Sequence, residues 1–234
     1  MRLNVAVLSL VVLLHSLPRG VSGQETIAES PFAVAYGVAK TQYESAWEAF
    51  AGDVDEYLAR EETKVRRSGT AAEVQTFELQ RTQFDRQEII PVGLPNGMKR
   101  RVDAIATPLK NAGEAYVRSL RRDGETVTAD RIERETATLL APIRRTAIRD
   151  QIVGDWNLKA GRYRAPIRIF PDGRFFNGKE NEWKEWTIDL DENKIVAKPV
   201  TPGLNVTDTI HLPVTPRTMG GVSSRNVKLE FTRR

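Results

Sequence analysis

Residues 151–176 read QIVGDWNLKAGRYRAPIRIFPDGRFF, and they decide the fold because the apolar period changes there. Ahead of them the large apolar residues recur every three or four positions, as on a helix. Within and beyond them short β-type runs alternate between turn residues. Ile167-Arg168-Ile169-Phe170 runs into Pro171-Asp172-Gly173, a tight hairpin that returns through Arg174-Phe175-Phe176. Further alternation over Trp183–Leu190, Lys194–Val200, Val206–Leu212 and Asn226–Thr232 gives six to eight short strands. Asp191-Glu192-Asn193 is a turn between two of them, Asn177-Gly178 another, and Gly220-Gly221 marks one more turn or bulge. Residues 151–234 are therefore expected to form an antiparallel meander, either a curved sheet or a small barrel.

Upstream, Tyr36, Tyr43, Trp47, Phe50, Val54 and Tyr57 place one stripe on a long helix, without the strict seam of a coiled coil. Arg66-Arg67 suits the last carbonyls of that helix, and Gly69 suits a left-handed residue after its end. Thr70-Ala71-Ala72-Glu73 reads as a capping box opening a second helix with Val74, Phe77, Arg81 and Phe84 on one face. An offset of 55 residues repeats the pattern: Arg66-Arg67-Ser68-Gly69 falls on Arg121-Arg122-Asp123-Gly124, Val54 on Leu109 and Glu78 on Glu133. Two copies of one hairpin, about 43–95 and 98–150, give four helices in a bundle or an elongated pair. Glu88–Gly97, with two Pro and two Gly, links them. Pro108 interrupts or kinks the third helix, and the fourth runs from about Thr128 to Asp150 with a bend at Pro142. The fold class is α+β, with helical residues 24–150 followed by β residues 151–234.

Met1-Arg2, the apolar run Leu3–Leu17 and the small residues Val21-Ser22-Gly23 have the layout of a signal peptide over residues 1–23. Cleavage near Gly23 predicts a periplasmic or secreted protein, and no later segment is long and apolar enough to span a membrane. Cysteine is absent, which excludes disulfides, zinc ribbons and thiol nucleophiles. Of the two histidines, His15 lies in the leader and His211 on the solvent side of a strand, so no histidine metal site or triad is expected. Lys and Arg number 35 against 31 Asp and Glu, a near balance interleaved along the chain, so nucleic acid is not expected as a partner.

Chemistry-bearing patterns are sparse. The carboxylate groups Asp53/Asp55/Glu56, Glu61/Glu62 and Asp189/Asp191/Glu192 offer acids for a hydrolase, but they read as solvated helix faces and a turn. Asp189-x-Asp191 lacks the glycine and distal glutamate of a calcium loop. No Gly-x-Ser-x-Gly elbow or phosphate loop is present. No catalytic residue, metal or cofactor is expected. Asn205-Val206-Thr207 is a glycosylation sequon, meaningful only in a eukaryotic secretory pathway.

The rings of the β half carry the candidate binding site: Tyr163, Phe176, Trp183 and Trp186, with Arg174 and Lys184 nearby. Phe175 and Phe176 point to opposite sheet faces, as do Trp183 and Trp186, so some rings face away from the core unless the helices cover them. Exposed, they suit a protein, peptide or envelope glycan. The combination of Gly154-Asp155-Trp156, Phe170-Pro171-Asp172-Gly173, the late alternating strands and Arg233-Arg234 resembles the small Trp/Asp-Gly β domain of exported planctomycete-type bacterial proteins. Such domains follow helical repeats and are loosely lipocalin-like, Gly154-x-Trp156 being similar to the lipocalin first-strand motif. The resemblance implies a fold and a compartment but no activity. The readings carried forward are a non-enzymatic interaction protein, a lipocalin-like carrier of a small apolar ligand, and a carboxylate hydrolase.

Overall fold

The computed structural model describes residues 30–176 and 183–234, so the leader and Asn177-Gly178 lie outside the described residues. Five helices come first: α1 (Pro31–Ser68), α2 (Ala71–Gln87), α3 (Asn96–Arg122), α4 (Thr126–Leu139) and α5 (Ala141–Ile152). Eight strands follow: β1 (Gly154–Ala160), β2 (Tyr163–Ile169), β3 (Arg174–Phe176), β4 (Trp183–Asp189), β5 (Lys194–Pro199), β6 (Asp208–His211), β7 (Thr218–Ser223) and β8 (Lys228–Arg233). Each strand pairs antiparallel with the next, and β8 returns to β1 through Leu158↔Phe231, closing an up-and-down barrel of lipocalin-like shape.

Positions 55 residues apart make similar contacts. Val54 and Leu109, equivalent at the 55-residue offset, are both wholly buried. Arg66 pairs with Glu78 at 2.5 Å, and Arg121 pairs with Glu133 at 2.6 Å, again at that offset. α3 packs against both α1 and α4. The Thr70–Glu73 capping box is formed, with the Thr70 amide donating to Glu73 Oε2 at 2.7 Å and the Glu73 amide donating to Thr70 Oγ1 at 3.3 Å.

Several local expectations are corrected. Among the described residues there are five helices rather than four, because the last one breaks at Leu140. Pro142 lacks an N–H and its ring excludes a helical carbonyl four residues earlier, so it begins α5 instead of bending one continuous helix. Pro108 does not interrupt α3, which is continuous from Asn96 to Arg122. Gly69 is extended, at φ −90°, not left-handed; it is needed because a Cβ would lie 2.6 Å from Val65 O. Its counterpart Gly124 does take the left-handed conformation, at φ +82°. Gly220 and Gly221 lie inside β7 rather than in a turn.

The barrel interior is filled. Trp156, Phe175, Trp186 and Phe231 are at most 1% exposed and pack with a shell of Ile, Leu and Ala. The helices close one end instead of covering a sheet face. Ile148 and Ile152 from α5, and Ile89 from the α2–α3 connection, belong to the barrel's own core. Polar contacts fix the join: Gln87 Oε1 accepts from the Ile188 amide at 3.0 Å, and Arg145 Nη1 donates to Gln87 O at 3.1 Å. The opposite end, where β2, β4, β6 and β8 begin, is the mouth.

Candidate functional site

Strand alternation distributes the five sequence-predicted binding residues over three places. Phe176 and Trp183 face outward, directly opposite one another across β3 and β4. Their ring centroids lie 5.3 Å apart, and Phe170 sits 5.8 Å from Trp183. The Arg174 guanidinium lies 5.1 Å from the Phe170 centroid and 5.6 Å from that of Trp183. Arg174 is itself held by the buried carboxylate of Asp172, with its Nε 2.8 Å from Oδ2, and reaches Thr76 Oγ1 of α2 at 3.1 Å. The cluster thus ties the barrel wall to the helices.

Below these rings, Pro166, Ile167, Arg168, Asp155 and Arg234 complete an outer groove of about 400 Å³. Its charges are largely settled among themselves. Arg168 holds Asp155 with both a Nε and a Nη2 contact, the latter at 2.9 Å, and this pairing keeps the Asp155 carboxyl below its ordinary pKa.

Trp186 is corrected: it points into the core, 1% exposed, and donates its indole N–H to Phe170 O at 3.1 Å. No partner can reach it. Tyr163 stands at the mouth, away from the outward rings and 41% exposed. Lys184 is also displaced from its expected place beside those rings. It faces inward, with a side chain 2% exposed, and pairs with the equally buried Asp208 of β6. The signal was present in β4, where Lys184 shares the core-facing parity of Trp186, and in β6, where Asp208 shares that of Ile210. An ion pair on two apolar strand faces is legible only once the strands are known to be neighbours of β5.

The carboxylate groups considered for hydrolysis are engaged at the surface. Asp53 pairs with Arg101 at 2.5 Å, Glu62 with Arg66 and Arg81 at 2.8 and 2.7 Å, and Asp189 accepts from the Glu192 amide at 3.0 Å. Among the described residues, no group of three or more His, Asp or Glu converges as metal ligands, and no helix is long and apolar enough to cross a membrane. His211 is exposed on the outside of β6.

The site therefore belongs to an α+β protein with an outer ring wall and a polar-floored mouth on one closed barrel. No family model matches the chain, and no curated protein matches it.

Proposed function

We propose that the chain is a non-enzymatic binding protein of the extracytoplasmic space, whose helical scaffold holds a barrel that engages a glycan on its outer wall. One observation carries the reading: Phe176 and Trp183 are turned out of a barrel whose core is already full, beside a groove of about 400 Å³. A ring face over an apolar floor, flanked by the internally neutralised Asp155–Arg168 pair, suits a hydroxylated and uncharged surface better than an acidic peptide. The leader-like residues 1–23 and the resemblance to exported planctomycete-type proteins support the compartment. The packed interior gives less support to a carrier of an apolar ligand, and the surface-paired carboxylates give less to a hydrolase.

The test is a titration of the chain with neutral chito- and cello-oligosaccharides, read by tryptophan fluorescence and calorimetry. Binding that is lost in Trp183→Ala and Phe176→Ala, and kept in Trp47→Phe, is the expected result. Absence of binding, or affinity indifferent to both wall substitutions, overturns the reading.

A further inference from the structure

The two ends of the barrel are built differently. The helical end is closed by Ile89, Ile148 and Ile152, with Gln87 bonded to the Ile188 amide beside them. The mouth opens on a recess of about 380 Å³ whose floor is the Lys184–Asp208 ion pair. Leu158, Leu204, Val206 and Leu229 line it together with the polar Asn205, Ser223 and Arg225, and Tyr163 stands at the rim.

Such a pair is costly as a structural device. Removing two charges from water consumes most of what their attraction returns, and well-packed apolar residues in their place are often as stable or more so. Burial pushes the Asp208 carboxyl above its ordinary range despite the adjacent ammonium. Lys184 also lies 5.8 Å from the Phe175 centroid, at the boundary between the dry core and the recess. At the helical end the buried Asp172 pairs instead with the partly exposed Arg174. Both side chains of the Lys184–Asp208 pair are buried, yet both line the recess.

We propose that the mouth is a binding site for a small amphiphile with an uncharged head that both donates and accepts hydrogen bonds, of which a primary carboxamide is the simplest. The ammonium has three protons and the carboxylate several lone pairs, more than the one contact between them uses. A carboxamide oxygen accepts from Lys184 while its NH₂ donates to Asp208, and the tail lies along the leucine and valine walls. A carboxylate head meets Asp208 and an ammonium head meets Lys184, a like charge in a desolvated setting in either case. The recess volume is at the small end of the range for small-molecule sites, which limits it to one short ligand.

Calorimetric titration of the full chain with octanamide, octanoate and octylammonium tests this. Octanamide is expected to bind at least about tenfold more tightly than either charged homologue, because a misplaced charge leaves a buried partner uncompensated. The double variant Lys184→Met/Asp208→Leu removes the pair without orphaning either charge, so it is expected to keep the melting temperature and lose octanamide binding. Trp183→Ala, on the outer wall, is expected to leave octanamide binding unchanged, which separates this site from the glycan surface. Equal affinity for all three heads, no octanamide binding, or undiminished binding by the double variant overturns the proposal.

Discussion

Arg233 lies over Trp156, its guanidinium carbon 4.8 Å from the ring centroid, and so the last strand locks onto the first. The same guanidinium donates to Gln151 O and Val153 O, each at 2.9 Å, taking up carbonyls at the end of α5. Trp156 answers from the other side by donating its indole N–H to Ile152 O at 2.7 Å. Gly154 makes this possible. It sits at φ +136°, and a Cβ there would lie 2.8 Å from Arg233 Nη2. The Gly-x-Trp pattern is thus a docking plate for an arginine from the far end of the domain.

Arg233→Ala is expected to cost about 2–3 kcal/mol through the loss of two charge-assisted hydrogen bonds and the ring contact. Arg233→Lys is expected to recover less than half of that, since an ammonium cannot fork to two carbonyls. Gly154→Ala should cost a similar amount through backbone strain and displacement of the arginine. Urea denaturation measures all three, and an unchanged midpoint in Arg233→Ala would remove the lock from the account.

Tyr43 is buried on α1, and its hydroxyl should matter as well as its ring. The hydroxyl donates to Leu139 O at 2.5 Å, where α4 gives way to α5. Burial raises the pKa of Tyr43, keeping it a neutral donor. Tyr43→Phe is expected to lower stability by about 1–2 kcal/mol, because it leaves a largely buried carbonyl without that partner. The loss is readable as a fall in melting temperature.

The two adjacent glycines of β7 should behave oppositely. A Cβ on Gly221 would stand 2.0 Å from Thr209 O and 2.9 Å from the Ile210 Cα, both backbone atoms of β6. A Cβ on Gly220 would come no nearer than 4.0 Å to any atom, the nearest being Leu229 O. Gly221→Ala is expected to prevent the barrel from closing, seen as loss of soluble yield or of cooperative unfolding. Gly220→Ala is expected to be close to neutral. Equal tolerance of the two would mean that β6 and β7 do not approach this closely.

These glycines also show what a one-dimensional reading can and cannot reach. The helical stripe, the capping box at Thr70 and the strand alternation of the second half are local periodicities, and each formed where expected. The ion pairs Arg66–Glu78 and Arg121–Glu133 stand 55 residues apart. Gly220-Gly221 reads locally as a turn or bulge, because close approach of a neighbouring strand leaves no trace in the local sequence. The same is true of Lys184 and Asp208, which are neighbours only across β5. Barrel closure by β1 and β8, and the plugging of one end by helices, likewise depend on contacts between residues far apart in the chain. Pro142 was recognised, but whether a proline bends a helix or begins a new one depends on what packs beside it.

Glu230 provides a pH prediction of definite sign. Lys159 at 2.8 Å and Lys228 at 2.9 Å lower its carboxyl pKa from an ordinary 4.5 to about 2. A depressed carboxylate contributes stability that is present above the unfolded value and lost as the pH falls through the folded one. Its contribution should therefore fade between pH 4.5 and about 2. Carboxyl-detected NMR titration is expected to find Glu230 still ionised when most other acids have protonated. Added salt should move its midpoint upward, because both lysine contacts are at the surface. A midpoint at the ordinary value in dilute buffer would show that neither lysine holds it.

The isoleucines beneath the barrel make it a vessel whose bottom is made by someone else. Cut away from α5, the strands would bring an oily hole to water and could not keep their shape. The same joint works in the other direction, since Ile148 and Ile152 are the residues by which α5 is seated on the strands.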